Sequence, residues 1–469
     1  MNAASLGAKA PLNVLPEKIP AVTGSLPSAS QAQVAKLHGI TFVAIDEPKP
    51  VTTMSLFVKA GSRYEEEGAS AGAANFLKRL AFRSTEKKYY YPLVLDVDKH
   101  GIEFEAAAGR EFVSYNLTGL RSDSGLMAET LGAVYQPRLE EWEVEAVRAE
   151  VLAESESNAR NSRQTLLDLV YREAFRDQGL GRSPSAAAFE AESLSPAALR
   201  QYVNSHYTAD RLIVVANGAS MDEIKSFADS FAPYDVRSTI NDALGPGIEG
   251  YFPVLTPAKP VHPAKVIYTG GSEVRLPGAG PTQLVVAAEG VGASAGIQAQ
   301  LAAAVLQTIV GGGSSALRGV YPGLHQSRLA NLVACSGGCL QYAETFHHSF
   351  SDAGLFGIFA QAHEGHGSQL AAAISQHFQT LSVVSDAEVS RAKLQLKANI
   401  LNSFASDPVA LTEFYANQIS NTGSALTPSQ FVAQIESVDT ASVVAVAKKI
   451  AASKLTVAAL GDVKGLPKF

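Results

Sequence analysis

The sequence predicts an α+β fold built from two pseudo-repeated domains. Three observations support this prediction. β-Prone runs are grouped with helical hairpins instead of alternating strictly with them. The two halves of the chain repeat the same order of predicted elements, and a proline-rich stretch separates them. A length of 469 residues also exceeds what one ordinary core accommodates, so two domains of roughly 200 residues each are expected.

The first half begins with strands, continues with helices and closes with one more strand pattern. Runs of β-branched and apolar residues predict the strands, and helical periodicity predicts the helices. The predicted strands are 41–45, 52–60, 101–107, 112–120 and 211–216. The predicted helices are 70–81, 124–135, 139–159, 165–175, 195–206 and 221–231.

The second half repeats this order and ends on a matching strand. Residues 211–218 read Arg-Leu-Ile-Val-Val-Ala-Asn-Gly, and residues 454–461 read Lys-Leu-Thr-Val-Ala-Ala-Leu-Gly. The predicted strands are 283–289, 332–339, 354–362 and 454–460. The predicted helices are 297–310, 369–381, 386–402, 407–419, one that begins near 427, and 440–452.

Proline and glycine mark the domain boundaries. Residues 233–265 contain six prolines, which donate no backbone hydrogen bond, so an extended linker is expected there. This linker separates a predicted N-terminal domain (37–232) from a C-terminal domain (266–469). Residues 1–36 are rich in Ala, Ser and Pro and contain no arginine, unlike a mitochondrial presequence. They are predicted to form an N-terminal arm, which is either already trimmed or not a presequence.

The composition excludes several classes of protein. Hydrophobic residues make up 46% and charged residues 18% of the chain, which is typical of globular domains. A net charge of −7 argues against nucleic-acid binding. Two cysteines rule out a disulfide framework and fit a reducing compartment. The apolar stretch 297–310 is shorter than the ~20 residues that span a bilayer, so any membrane association is expected to be peripheral.

The predicted helix at 70–81 carries the candidate site. Residues 72–85 read Gly-Ala-Ala-Asn-Phe-Leu-Lys-Arg-Leu-Ala-Phe-Arg-Ser-Thr. This run resembles the region of the inverted zinc motif, H-x-x-E-H, in the pitrilysin and mitochondrial processing peptidase family. Two histidines at i and i+4 lie on one face of a helix and bind one zinc ion, and the glutamate acts as the general base on zinc-bound water.

The flanks of the motif match the family, but its chemical residues do not. In the positions of the two histidines this chain has Asn75 and Arg79, and in the position of the base it has Lys78. An amide is a poor zinc ligand, and the two neighbouring cations repel a divalent ion. The sequence therefore predicts no bound metal and no hydrolysis by the mechanism of the family.

The resemblance also implies a third family ligand, a glutamate on a downstream helix. Glu154 matches that position, although Glu150 and Glu156 are close enough for a shifted alignment, and a solvated acidic helix face remains an alternative. We predict that Glu154 forms an ion pair with Lys78 or Arg79 at the position of the family's metal site.

Further segments extend the resemblance along nearly the whole chain: residues 177–182, 202–209 and 350–357. The resemblance implies two metallopeptidase-like domains (LuxS-like or processing-peptidase-like) that pair with a homologous subunit. That partner is a core protein 1 or β-type processing subunit. It also implies a mitochondrial location, on the matrix side of the inner membrane.

The family contains three relevant types of subunit. The β-type processing subunit keeps the zinc motif and is excluded. The α-type subunit has a long glycine-rich loop, whereas the core subunits of respiratory complex III have often lost the motifs. In this chain Gly311, Gly312 and Gly313 begin such a loop, but bulkier residues and Pro322 follow, and these restrict the backbone.

The stiffer loop favours a core subunit over an α-type subunit, although one protein fills both roles in some lineages. In the core-subunit role, the resemblance implies further contacts with cytochrome b, cytochrome c1 and the iron–sulfur protein. The sequence offers no haem or iron–sulfur ligands of its own, so no cofactor is predicted.

Three other features do not predict sites. The run 363–366, His-Glu-Gly-His, has the spacing of neither zinc motif and is interpreted as a polar turn. Cys335 and Cys339 lack a second pair and are interpreted as residues of a strand pair. His347 and His348 are predicted to lie in a solvated hairpin loop. The glycine triplet follows a helix and precedes no Gly-Lys-Ser/Thr sequence, which excludes a P-loop.

Overall fold

A computed structural model describes residues 31–176, 178–231, 265–315, 327–463 and 465–468. Its centre consists of two mixed β-sheets of six strands each. The first sheet has the order β1-β2-β6-β3-β5-β4. Its strands are β1 (Gln33–Leu37), β2 (Ile40–Ile45), β3 (Val51–Val58), β4 (Glu103–Ala108), β5 (Val113–Leu120) and β6 (Leu212–Asn217).

The second sheet, of order β7-β12-β8-β11-β10-β9, repeats the topology of the first in five strands. The sixth strands differ, because β1 lies at one edge of the first sheet and β9 at the opposite edge of the second. The closing strand of each half pairs in parallel with one neighbour, β6 with β2 and β12 with β7, and antiparallel with the other, β6 with β3 and β12 with β8. The strands are β7 (Glu273–Pro277), β8 (Thr282–Glu289), β9 (Gly312–Ser314), β10 (Leu340–Ser349), β11 (Gly354–Ala362) and β12 (Thr456–Gly461). The predicted α+β duplication is therefore confirmed.

Helices follow the strands in the same order in both halves. In the first half they are α1 (Ala73–Leu80), α2 (Tyr90–Lys99), α3 (Ser124–Val134), α4 (Glu141–Arg160), α5 (Ser162–Phe175), α6 (Ala188–Ser193), α7 (Pro196–His206) and α8 (Met221–Phe227). In the second half they are α9 (Ile297–Val310), α10 (Arg328–Cys335), α11 (Gly367–Gln379), α12 (Asp386–Ser406), α13 (Pro408–Thr422), α14 (Pro428–Ser437) and α15 (Thr440–Ala452).

The central strands are buried on both faces. In β3 every residue except Val51 is buried, and all six residues of β6 are buried. β6 has the nearly continuous apolar sequence that strands covered on both sides need, whereas β3 also buries Thr52, Thr53 and Ser55. One face of the first sheet packs against helices of its own half, among them α1, α3, α4 and α7.

Each half contributes one helix to the other half's core. Helix α5 belongs to the first half in sequence, but Leu166, Val170 and Ala174 pack in one cluster with Val285 and Ala458 of the second sheet. Its apolar face therefore covers a sheet that the chain forms more than 100 residues later.

One helix of the second half packs on the first sheet in the same way. In α13, Leu411 and Tyr415 pack against the outer face of the first sheet, where Val43 lies. Ser55 of β3 and Thr412 of α13 share a hydrogen bond of 2.8 Å inside this interface. Neither sheet is complete without a helix from the opposite half.

A buried ion-pair network adds a polar connection between the halves. Arg63 is only 4% exposed at its side chain; it donates to Glu111 at 2.7 Å and to the Asp352 carboxylate at 2.8 and 2.5 Å. The backbone N–H of Val266 also donates to Asp352, at 3.0 Å. Ser351 donates its hydroxyl to Glu111 at 2.5 Å. The carboxylates of Glu111 and Asp352 are thus each bound by groups from both halves of the chain.

The prediction for residues 332–339 is wrong. They were expected to form a strand, but residues 328–335 form α10, and the strand follows as β10. A short apolar run fits a buried helix as well as a strand. The Ser327 side chain accepts from the N–H of Ala330 and thereby fixes the start of the helix. The same shift puts His347 and His348 within β10 instead of in a loop.

Several elements are not predicted by the sequence: α2, α6, β1, β7 and β9. The predicted arm extends to residue 36, yet β1 already begins at Gln33 and pairs with β2. Residues 1–30 of the arm and 233–264 of the predicted linker lie outside the described residues. The edge strands β1, β7 and β9 are short, so their sequences carry little periodicity.

The exchanged helix gives a test of this architecture. We expect Leu166→Ala to lower the free energy of unfolding by about 3 kcal/mol, because the side chain is fully buried against the second sheet. Urea denaturation followed by circular dichroism measures the change. Val383→Ala is the control, since Val383 is 71% exposed and its truncation should change the free energy of unfolding by less than about 0.5 kcal/mol. Equal effects of the two substitutions would contradict the exchange.

Candidate functional site

Helix α1 begins at a tightly packed turn. Gly72 precedes it with a φ of 83°, and a Cβ at Gly72 would lie 2.8 Å from the Cβ of Ala186. Both facts require glycine at this position. The carboxylate of Glu65 accepts hydrogen bonds from the N–H groups of Gly72 and Ala74, each at 2.9 Å. These contacts satisfy donors at the helix start that have no partner within the helix.

Glu65 is a site residue that the sequence does not reveal. It lies in a loop seven residues before Gly72, and no motif marks it. Burial raises the pKa of Glu65 to about 8, although the N–H groups of Ala74 and Gly72 and the charge of Arg182 oppose this shift. Its role in the structure is to fix the start of α1, and with it the position of the side chains that follow.

Asn75, the first of the motif positions, points into the protein. The residue is 1% exposed, and its Nδ2 donates to the carbonyl oxygen of Pro184 at 3.4 Å. Within the described part of the chain no donor reaches its Oδ1. The amide therefore serves packing between α1 and the segment before α6.

Lys78 and Arg79 both bind Glu154 of α4. The Nζ of Lys78 donates to Oε1 at 2.8 Å, and the Nε and Nη2 of Arg79 donate to Oε2 at 3.1 and 2.9 Å. The ion pair predicted from the sequence is present, and both cations take part. Its carboxylate is 19% exposed, so the pair is largely shielded from solvent.

The neighbouring glutamates of α4 have other surroundings. Glu150 forms an ion pair at 2.9 Å with Arg83, which lies just after the end of α1. Glu156 is exposed. Glu154 is thus the carboxylate of α4 that binds both Lys78 and Arg79.

The charges keep Glu154 ionised. Burial disfavours its charged form, but the hydrogen bonds and charges of Lys78 and then Arg79 outweigh burial and hold the pKa of Glu154 below its ordinary value. Both carboxylate oxygens are occupied by cationic donors. An ammonium and a guanidinium cannot coordinate a metal, so the residues present do not fit zinc, and no hydrolytic step follows from them.

Other groups with metal-ligand chemistry do not converge either. Across the described ranges, no group of three or more His, Cys, Asp or Glu side chains is arranged to hold a metal ion. In the turn between β11 and α11, the ring of His363 contacts Gln341 and the ring of His366 contacts Gln369. The interpretation of this run as a polar turn is confirmed.

The two histidines of β10 have structural contacts. His347 Nε2 accepts from the N–H of Val291 at 3.3 Å, and His348 Nδ1 shares a hydrogen bond with the Tyr171 hydroxyl of α5. Burial lowers the pKa of each imidazole to about 4. Both rings are therefore neutral near pH 7, and His348 belongs to the interface that the exchanged helix forms.

A cavity of about 500 Å³ adjoins the segment before α1. Its lining combines polar and apolar side chains. Asp168, one of them, accepts from Arg110 at 2.8 Å and from Ser183 at 3.0 Å. The charged lining residues are Glu65, Glu67, Asp168, Arg172, Arg182 and Glu190.

A duplicated sheet domain in which a short helix faces a carboxylate on a long helix resembles the architecture of a metallopeptidase. The comparison with family models agrees with this class. Residues 41–187 match the model described as insulinase (peptidase family M16), and residues 193–396 match the peptidase M16 inactive domain. Together the two matches cover about three quarters of the chain. The chain belongs to peptidase family M16, as the motif flanks predict.

Individual relatives include a subunit of the cytochrome b-c1 complex and both the alpha and the beta subunit of the mitochondrial processing peptidase. The chain is 27% identical to cytochrome b-c1 complex subunit 2 of Mus musculus over 97% of this chain and 96% of that protein. It is 28% identical to mitochondrial-processing peptidase subunit alpha-2 of Dictyostelium discoideum, over 89% and 88% of the two chains. It is 29% identical to the beta subunit of that peptidase from Neurospora crassa, over 92% and 87%.

Removal of the shared carboxylate tests the ion pair. We expect Glu154→Gln to lower the free energy of unfolding by roughly 1–2 kcal/mol at pH 7, because it leaves two cations without their partner. A lowered pKa means that Glu154 stabilises the fold above its ordinary value of 4.5 and loses this effect as pH falls through the lower folded-state value. The difference between wild type and variant should therefore disappear in acid.

Glu156→Gln is the matched control on the same helix. Glu156 is exposed, so its substitution should change the free energy of unfolding by less than about 0.5 kcal/mol both at pH 7 and in acid. Chemical denaturation at pH 7 and pH 3 measures all three proteins. A Glu154→Gln variant as stable as Glu156→Gln at pH 7 would show that the ion pair does not stabilise the fold.

Proposed function

We propose that this chain is a non-catalytic core subunit of mitochondrial respiratory complex III, equivalent to core protein 2 of ubiquinol–cytochrome c reductase. It supports the assembly and stability of that complex. The observation that carries the proposal is the ion pair of Glu154 with Lys78 and Arg79 at the motif position of an M16 fold. A family member that keeps the fold but replaces its metal ligands is suited to assembly and not to peptide hydrolysis.

The relatives support the choice of complex. Subunit 2 of the cytochrome b-c1 complex from mouse, rat and human matches this chain over 92% or more of its length. We propose a peripheral position on the matrix side of the inner membrane. The direct partner is a homologous core protein 1 or β-type subunit, and the other contacts are with cytochrome b, cytochrome c1 and the iron–sulfur protein. In the described ranges, no helix is long and apolar enough to cross a membrane.

The second candidate is an α-type subunit of the mitochondrial processing peptidase. Relatives of that type from Dictyostelium discoideum and Solanum tuberosum, together with the glycine triplet, favour it. Packing offers another reason for the triplet, because a Cβ at Gly313 would lie 2.7 Å from Ala330 and Gly312 begins β9. Residues 316–326 of the loop lie outside the described residues, so the stiffness of that segment stays a prediction.

Restoring the motif tests whether these positions correspond to the family's metal site. We expect the triple variant Asn75→His, Lys78→Glu, Arg79→His to bind one zinc ion per chain, because Glu154 already faces the second and third of these positions. Metal analysis after gel filtration measures the stoichiometry, with circular dichroism as the check on folding.

The control adds Glu154→Ala to the triple variant, which should lose the zinc. A folded triple variant that binds no zinc would contradict the correspondence. So would wild-type protein that retains zinc after the same purification.

Purification of the tagged chain from mitochondria solubilised in mild detergent tests the function. The core-subunit proposal predicts a large complex whose reduced spectrum shows haem b and haem c1. A soluble heterodimer without haem would overturn it in favour of the α-type subunit. Mixing the chain with an active β-type subunit and a presequence peptide gives the second measurement. Stimulated cleavage supports the α-type role, and unchanged cleavage together with the haem spectrum supports the scaffold.

A further inference from the structure

The two cysteines of this chain lie only four positions apart. Among 469 residues there are no others. Cys335 is the last residue of α10, and Cys339 directly precedes β10. Cys335 is exposed, Cys339 is half-buried, and both thiols are free. Neither residue is fully buried.

The turn between the cysteines brings the chain back on itself. The N–H of Cys339 donates to the carbonyl oxygen of Ser336 at 3.2 Å, and Gly337 and Gly338 have φ angles of 67° and 100°. Two central glycines with positive φ are typical of a type I′ turn, whose first and fourth α-carbons lie within about 7 Å. Cys335 directly precedes the first residue of this turn, and Cys339 is the fourth.

The turn also has room to adjust. Neither Gly337 nor Gly338 has any described atom within 4 Å of the place where a Cβ would stand. Ser336 ties the two flanking elements together, since its hydroxyl donates to Val333 at 2.8 Å and accepts from the N–H of Leu340 at 3.3 Å. Disulfides require α-carbons about 4.4–6.8 Å apart, so a bond between the two cysteines depends on movement of this open turn.

We propose that Cys335 and Cys339 form a reversible dithiol–disulfide site whose co-substrate is a low-molecular-weight disulfide of the glutathione type. One cysteine thiolate attacks a sulfur of that disulfide, breaks its S–S bond and releases one thiol. The second cysteine then attacks the protein sulfur of the mixed disulfide, and a second thiol leaves. The two cysteines lose two protons and two electrons, and one small-molecule disulfide is reduced to two thiols.

The two cysteines do not form a metal site. The two sulfurs lack further ligands, because no group of three or more metal-binding side chains occurs in the described parts of the chain. His363 contacts Cys339 through its backbone, since its N–H donates to the carbonyl oxygen of Cys339 at 3.1 Å, and its ring contacts Gln341 at 2.8 Å. The chemistry available to two neighbouring thiols is thiol–disulfide exchange.

The test equilibrates the full chain with defined ratios of reduced and oxidised glutathione, quenches in acid, blocks free thiols and measures the intact mass. We expect the wild type to lose two hydrogen atoms and to retain no glutathione. Cys335→Ser and Cys339→Ser should each retain one glutathione, because the resolving thiol is missing. Peptide mapping locates the internal bond.

Gly338→Val is the control for the turn, since a β-branched residue disfavours a φ of 100°. It should lower the equilibrium constant for the internal disulfide at least tenfold relative to the wild type. Two retained glutathiones in the wild type, a disulfide-linked dimer, or no reaction at all would each overturn the proposal. An unchanged equilibrium constant in Gly338→Val would do the same. None of these measurements depends on the proposed role in complex III.

Discussion

The reciprocal exchange of α5 and α13 is the constraint on which the rest of the structure depends. Each sheet has two faces to cover, and the helices of its own half cover one of them. The other face is covered by a helix from the opposite half, with Leu166 and Tyr415 among the buried side chains. Burial of apolar area on this scale is the dominant stabilising term in folding, so neither half is expected to be stable alone. The Arg63 network also joins the halves, because Arg63 of the first half donates to Asp352 of the second and Ser351 of the second donates to Glu111 of the first.

The geometry of the candidate site depends on the exchange of α5 and α13. Glu154 lies on α4, and α4 continues through the single residue Asn161 into α5. The helix that carries the carboxylate is therefore anchored by a helix that packs on the second sheet. On the opposite side, Glu65 and Gly72 fix the start of α1 and set the orientation of Lys78 and Arg79. The ion pair joins two helices whose positions are decided by separate parts of the fold.

The ion pair joins these two helices directly. A carboxylate on α4 and two cations on α1 make the connection, with three hydrogen bonds of 2.8 to 3.1 Å. Charge-assisted hydrogen bonds of this kind are stronger than neutral ones. A link between helices that needs no metal is consistent with the proposed role in assembly.

The sequence by itself determined the duplication, most strands and helices, and the residues of the ion pair, because buried periodicity and the motif flanks are local patterns. It did not determine α10, since the short apolar run 332–335 fits a helix or a strand until Ser327 and the neighbouring elements decide between them. Nor did it mark Glu65, whose role comes from a contact with residues further along the chain. Only the tertiary structure decided that α5 and α13 cross to opposite sheets. Their amphipathic patterns specify a buried face, but they do not specify which sheet buries it.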